Sequence, residues 1–512
     1  MAAWSDGYFT DIQYTGHFYP ELAPGFMAFA CLRQGVRPPS LEPGATYLEL
    51  GCGQGFGLNL LAAANPAMDF WGVDFHPGQI DNAVRLARAA GLSNIAFEDL
   101  SFAQMLSLPP GRLPKFDVVA LHGIYSWISP ENRAIVVQVL DRLLKPGGMV
   151  YVSYNCLPGW APLVPLQRFV AEHVARSTGD PETKVVGALK AALQLLEGDA
   201  GYFKTVPSLR QRLEEALGQK PAYLVHEYLN DHSHPFFHAD VARELDGARL
   251  SFAASANIAD DLVKLAAPAP LQRQIQETQD RTWRQTLLDY AGDKPFRRDV
   301  FVRGRNMLGQ AEREALLAET RFTLLKAPGA VSFEFPIPIG QVKGAPGVYR
   351  PIVEALAEGP RSYGELMRLA PFAGAQDGVL LQAITLLVGG RQIHPVTEGG
   401  ELGGGPAAAF NRAILDRLAF DEVPTHLAAA RAGTAVRVDF PEALALNAAV
   451  HGQGDIAEVA RAGWAMMART GRRLLDDGAV LADQASNQAA LIDHIERFNR
   501  VRLPLLRGLG VL

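Results

Sequence analysis

Glu49-Leu50-Gly51-Cys52-Gly53-Gln54-Gly55-Phe56-Gly57 is the stretch whose reading decides the fold. It follows a short apolar strand, Tyr47 to Leu50, and opens a helix. Glycines at such a turn let the backbone reverse sharply and let a ligand approach the peptide groups with no side chain in the way. The helix that follows presents free N–H groups at its N-terminus. A nicotinamide-dinucleotide turn would want G-x-G-x-x-G. Here that third glycine position holds Phe56, with glycines at 55 and 57 instead, so the spacing is E-x-G-x-G-x-G.

Four further strands follow outward from this turn: Phe70 to Asp74 (FWGVD), Asn94 to Phe97 (NIAF), Phe116 to Leu121 (FDVVAL) and Met149 to Tyr154 (MVYVSY). Helical stretches separate them. The clearest is Gln79 to Ala90, with Ile80, Val84 and Ala87 on one face and Gly91 as its stop. Strands alternating with helices predict an α/β domain with a parallel sheet covered on both faces. Short, nearly all-apolar strands fit burial on both sides. Asp74 ends the second strand about twenty residues after the glycines, where a carboxylate can accept both ribose hydroxyls of a nucleoside.

Length and composition bound the rest. A chain of 512 residues exceeds a single hydrophobic core. The pattern divides it into an N-terminal lid segment (1–44), a Rossmann-like domain (45–160), a helical connector (161–219), a further mostly helical domain (220–318), a winged-helix-like middle domain (319–398) and a helical C-terminal domain (399–512). Phe333 to Ile339 (FEFPIPI) reads as an edge strand or linker. Gly399 to Pro406 (GGELGGGP) reads as a flexible loop.

A net charge of −6, from 48 basic and 54 acidic residues, argues against broad nucleic-acid binding. The candidate recognition helix of the winged-helix-like region, DGVLLQAITLLVGG, lacks Arg and Lys. It is read as a packing or protein-recognition element. No apolar run reaches the ~20 residues that span a bilayer, and the N-terminus lacks the pattern of a secretory signal. The cytoplasm is the expected compartment, with no membrane or nucleic-acid partner. Cys31, Cys52 and Cys156 form no C-x-x-C pair. His226, His232, His234 and His238 crowd together, but Asn230 stands where H-E-x-x-H needs its second His, so no metal site is expected.

Three features beside the glycine turn carry a family resemblance: Asp74, the acidic pair Glu98-Asp99 after the third strand, and the turn Leu143-Leu144-Lys145-Pro146-Gly147-Gly148 before the fifth. Together they resemble class I S-adenosylmethionine (SAM)-dependent methyltransferases. Longer stretches narrow the likeness: His122-Gly123-Ile124-Tyr125-Ser126-Trp127-Ile128, then Tyr154-Asn155-Cys156-Leu157-Pro158-Gly159-Trp160, then Tyr223 to Asn230 followed by Pro235-Phe236-Phe237. These resemble bacterial methyltransferases with a methyltransferase regulatory domain, a group that includes rickettsial-type lysine methyltransferases of outer-membrane proteins. The resemblance implies SAM as cofactor, held by Glu49, Gly51, Gly53, Gly55, Asp74 and Asp99, with Phe75, Leu100 and His122 beside them. It also implies a homodimer, as is common in that group, and leaves the acceptor open, with a protein substrate among the candidates.

In open parallel sheets ligands bind beyond the C-terminal strand ends. There the chain places His122, Tyr125, Trp127, Tyr154 and Asn155, the candidate catalytic and acceptor-lining residues, together with Trp160. An aromatic wall excludes water and tolerates cations on its ring faces. For each aromatic, packing under the lid competes with acceptor contact; for His122, a hydrogen-bonding turn role competes with proton acceptance. DNA-base methylation would want [D/N]-P-P-[Y/F] after the fourth strand, whereas N-C-L-P follows the fifth. The leading expectation is a protein-lysine methyltransferase. A small-molecule methyltransferase and a non-catalytic SAM-binding interaction protein remain the alternatives.

Overall fold

The computed structural model describes residues 7–9, 17–374, 378–397, 405–420, 422–476 and 479–512. Most of the Gly399 to Pro406 loop therefore lies outside the described residues, as does much of the first lid segment. All five expected strands form: β1 (Thr46–Leu50), β2 (Asp69–Asp74), β3 (Ile95–Asp99), β4 (Phe116–Leu121) and β5 (Leu144–Asn155). β5 starts earlier than its apolar core because the Lys145-Pro146-Gly147-Gly148 turn is drawn into the strand. The helices Phe56–Ala64, Pro77–Ala89 and Pro130–Leu143 alternate with them. His76 caps the second of these helices through its side chain, and Ser129 caps the third.

The sheet does not end at β5. Two strands from the following region, β6 (Leu250–Ser255) and β7 (Phe296–Arg303), extend it to seven strands in the order β3-β2-β1-β4-β5-β7-β6. β1 to β5 pair in parallel, whereas β7 runs antiparallel to β5 and β6 antiparallel to β7. The expected parallel sheet holds for β1 to β5, but the whole sheet is mixed, because the mostly helical 220–318 region adds two antiparallel strands that the sequence pattern did not reveal. The reason lies in β7 itself. Phe296-Arg-Arg-Asp-Val-Phe-Val-Arg carries charges within a strand, which hides its apolar alternation. The charges of Arg297 and Asp299 are paired inside: Arg297 Nε meets Asp299 at 2.7 Å, and Arg297 Nη2 donates to Gln285 at 2.8 Å.

One face of the sheet packs against the N-terminal helix Pro24–Arg33 and, beyond it, the middle and C-terminal regions, in one continuous core. The other face forms a second core with Val136, Leu140, Val241 and Phe301. The helices Val164–Arg176, Pro181–Glu197 and Leu209–Leu217 make a separate layer around Val170, Val185, Leu189 and Leu213. Leu224 and Val225 of the helix Pro221–Tyr228 join that same core, so the chain continues through residue 220 without a break in packing.

Residues 319–398 hold the helices Pro346–Ala357, Tyr363–Leu366 and Gly378–Gly389 beside a three-stranded sheet of Arg321–Leu324, Arg361–Ser362 and Ile393–Pro395. The third helix buries Leu380, Ile384, Leu387 and Val388, so its apolar length is spent on packing. The proline-bearing stretch is extended, and Glu334–Ile337 forms a hairpin with Gly340–Lys343. In the C-terminal region the helix Pro406–Leu415 packs on the helix that follows the glycine turn, with Phe410 and Phe56 rings 6.2 Å apart. Asn65, at the end of that same helix, donates to the Gly433 carbonyl at 3.0 Å.

Candidate active site

The glycine turn forces the geometry around it. Gly51 and Gly53 have φ of +72° and +55°, in the left-handed region that favours glycine. A Cβ on Gly51 would lie 2.3 Å from Ile124 Cδ1. The turn is tied to β2, since Gly51 N–H donates to the Val73 carbonyl at 2.7 Å. Asp74 accepts from Gly53 N–H and His76 N–H, each at 2.9 Å. Burial pushes the Asp74 carboxyl up, and these backbone hydrogen bonds oppose it.

A cavity of about 430 Å³ opens over the C-terminal strand ends. Gly51, Gly53, Asp74, Phe75 and Leu100 line one end of the expected set. His122, Trp127, Asn155 and Trp160 also line it. Five other expected residues do not. Glu49 is buried among the strands behind the turn, and burial followed by the nearby Asp74 pushes its carboxyl up to about 8. Gly55 lies below the cavity, where a Cβ would strike Ala83 at 2.5 Å and Phe97 at 2.9 Å, so its bareness serves helix–strand packing. Asp99 is exposed, and Leu100, Ser101 and Phe102 line the cavity in its place. Tyr125 lies fully buried under the site, donating to Glu244 Oε2 at 2.5 Å.

Tyr154 is the fifth, and strand geometry gives the reason. Successive side chains on a strand point to opposite faces. On β5 the odd positions Tyr151, Ser153 and Asn155 belong to the cavity side: Tyr151 and Ser153 hydroxyls lie 2.9 Å and 3.4 Å from His122 Nδ1, and Asn155 lines the cavity. Tyr154 therefore faces the second core, where its hydroxyl donates to Asp299 at 2.6 Å and meets His238 Nδ1 at 3.2 Å. Neither Tyr125 nor Tyr154 can line an acceptor channel. Glu49 and Gly55 support the turn from behind.

His122 directly follows β4 and is half-buried. Burial, reinforced by the Arg298 and His17 charges, pushes its imidazole down to about 3, so it is neutral at physiological pH. The Tyr19 ring covers it, with centroids 3.7 Å apart.

Comparison with known proteins decides the family. Residues 48–150 match the family described as a methyltransferase domain, and residues 220–303 match a predicted methyltransferase regulatory domain. An uncharacterised protein of Synechocystis sp. is 36% identical over 512 residues, covering 99% of both chains. The chain belongs to the class I SAM-dependent methyltransferases with a regulatory domain. An uncharacterised protein of Rickettsia prowazekii is 26% identical over 291 residues, covering 56% of this chain and 51% of its own. Among solved structures, PKMT2 from Rickettsia typhi in complex with AdoHcy shares the fold, with a TM-score of 0.69 and 18% identity over 98% of this chain and 100% of that one.

The cofactor of this methyltransferase is SAM, which brings an electrophilic methyl group on a sulfonium. The cavity fits it by two observations. The bare peptides of Gly51 and Gly53 face the Asp74 end. Buried donors without a protein partner, Asn155 Nδ2 and Arg298 Nε, belong to residues lining the same cavity.

The methyltransferase also draws on residues that sequence reasoning did not single out for the site. Tyr8 and Tyr19 reach it from the N-terminal segment, and Tyr8 sits edge-on to Phe75 with centroids 5.9 Å apart. Tyr223, Glu227 and Asn230 reach it from the helix Pro221–Tyr228 and the residues after it, and Arg298 from β7. Tyr223, Glu227 and Asn230 sit inside the stretch that carried the family likeness, which was the available signal. Arg298 gave none.

Proposed function

We propose that this methyltransferase acts on an amine of a protein, a lysine side chain, with the regulatory segment forming part of the acceptor site. The observation that carries this reading is Glu227. Its carboxyl lines the SAM cavity beside Tyr223, which donates to Glu227 Oε2 at 3.2 Å, and burial holds the carboxyl up at about 7. Trp127 and Trp160 line the same cavity. A carboxylate among aromatic faces suits an incoming ammonium group. Methyl transfer needs the neutral amine, and a lysine's reference pKa of about 10.4 falls on desolvation. A carboxyl poised near neutrality can take the proton that the amine must shed. His122, kept neutral under Tyr19, is read as shaping the cavity wall rather than accepting that proton.

The N-terminal segment is read as a cover over the cofactor, because Tyr8 and Tyr19 close the cavity on that side. The winged-helix-like middle region and the C-terminal helices are read as packing and partner-recognition units. No helix among the described residues is long and apolar enough to cross a membrane. We place the enzyme in the cytoplasm, with no nucleic-acid partner.

The test is transfer of label from radioactive SAM by the full-length protein, to unfolded outer-membrane proteins and to a metabolite extract in parallel. Label on protein, mapped to lysine by mass spectrometry, is the expected result. Label confined to small metabolites would transfer the site to a small-molecule acceptor. Tight SAM binding with no transfer to either pool would make the chain a SAM-binding interaction protein.

A further inference from the structure

Beside the imidazoles of His122 and His226, a single guanidinium and no lysine reaches the cofactor cavity among its described lining residues, and it comes from the regulatory segment: Arg298 of β7. Strand register fixes its place. In the antiparallel β5–β7 pair, Arg298 sits opposite Ser153 and Phe296 opposite Asn155, while Arg297 sits opposite Tyr154. Cross-strand partners share a face, so Arg298 and Phe296 belong with Ser153, Asn155 and the cavity. Arg297 turns to the opposite face, where Asp289 and Asp299 neutralise it.

Arg298 is treated differently from its neighbour. Among the described residues it has no carboxylate partner. Its Nη1 donates to the neutral side-chain oxygen of Asn257 at 2.9 Å, its guanidinium lies 5.1 Å from the Phe296 ring centroid, and its Nε is buried with no acceptor. Asn155, opposite Phe296, leaves Nδ2 buried and equally unpartnered. An orphaned buried donor costs free energy unless something supplies an acceptor. Two such donors at one end of one cavity call for an anionic or carbonyl oxygen there.

SAM brings one carboxylate, on its methionine portion. Entering the cavity strips that carboxylate of water, which is costly unless a donor replaces it. The acids that line the cavity, Asp74 and Glu227, would repel it. His122 is neutral and offers no compensating charge. We propose that Arg298, assisted by Asn155 Nδ2, receives the methionine carboxylate of SAM, so that the regulatory segment completes the cofactor site. The pairing is a charge-assisted hydrogen bond made by a guanidinium, the side chain best matched to a carboxylate. This assignment concerns cofactor binding alone and does not depend on the identity of the acceptor.

The experiment compares two ligands on the full-length protein by calorimetry. S-adenosylhomocysteine keeps the amino-acid portion, and 5′-methylthioadenosine lacks it. Arg298→Gln is expected to weaken S-adenosylhomocysteine binding by about 10- to 100-fold while leaving methylthioadenosine affinity unchanged. Arg298→Lys should recover part of the loss, and Asn155→Ala should show the same ligand selectivity with a smaller size. Equal weakening of both ligands would assign Arg298 a purely structural role and overturn the proposal. Unchanged binding of both would overturn it too, and would leave the arginine to an acceptor group. Should Arg298→Gln not fold, the wild-type protein still decides. Decarboxylated S-adenosylhomocysteine must bind at least about tenfold more weakly than the intact ligand, and equal affinity refutes the pairing.

Discussion

The two ends of the cavity differ in how they are built. The Asp74 end is made by one continuous stretch, the glycine turn and the ends of β1 and β2, held by backbone hydrogen bonds from Gly51, Gly53 and His76. The opposite end is assembled from distant pieces: Trp127 and Asn155 from the catalytic domain, Glu227 from the helix Pro221–Tyr228, Arg298 from β7 and Tyr19 from the N-terminal segment. The first end is a local motif and recognises what every relative must bind. The second is a tertiary product: there Trp127 and Glu227 are free to differ with the acceptor, whereas Arg298 and Asn155 complete the cofactor site.

The largest expected effect lies at the assembled end. Glu227→Gln should cut turnover on an amine acceptor by about 10²- to 10⁴-fold, the range for a positioned acid–base group. SAM affinity by calorimetry should stay near wild type. A loss of SAM affinity of similar size would erase the distinction between the two ends. Next comes Asp74→Ala, which should weaken SAM binding by roughly 1.5–3 kcal/mol through lost ribose hydrogen bonds to a charged group. Unchanged affinity would remove Asp74 from the cofactor site.

Tyr154→Phe sharpens the contrast from outside the cavity. Losing the hydroxyl that meets Asp299 should lower stability by about 1–3 kcal/mol in denaturant unfolding. KM for the acceptor should not move, and a rise in it would return Tyr154 to the acceptor channel. The smallest effect on ligand binding is expected at Glu49→Gln, whose signature lies in pH. Burial, with the nearby Asp74, pushes the Glu49 carboxyl up to about 8, above the ordinary carboxyl value of 4.5. Its contribution to stability is therefore fully present below about pH 4.5 and is lost as pH rises through 8. Stability profiles of wild type and Glu49→Gln should run parallel below about pH 4.5, diverge between about pH 4.5 and 8 with the variant the more resistant, and run parallel again above 8. Curves that stay parallel to pH 9 would mean Glu49 is solvated.

What could be read in the sequence follows the same division. The five parallel strands were legible because each is a short apolar run bounded by turn residues. Gly51, Gly53 and Asp74 were legible because a phosphate-free nucleoside site still needs a bare turn and a carboxylate at fixed spacing. β7 was not, because Arg297 and Asp299 pair inside the fold and disguise a buried strand as a polar one. Tyr125 and Tyr154 were misplaced because nearness to a strand end says nothing about which face a side chain takes; a one-residue difference from Asn155 reverses it. Tyr8, Tyr19 and Arg298 lie too far along the chain from the glycine turn for any spacing rule to connect them.

β5 is bonded to β7 along Met149 to Asn155, seven residues in register. Strands from a later region thus cap the sheet where a self-contained catalytic domain would present its own edge. A fragment ending near residue 160 would retain the whole glycine motif yet expose a long row of unpaired N–H and C=O groups on an apolar strand. Such an edge templates the addition of further strands. The catalytic sheet therefore cannot be cut before Arg303, and a truncated clone of the sequence motif is expected to be an aggregating fragment rather than a minimal enzyme.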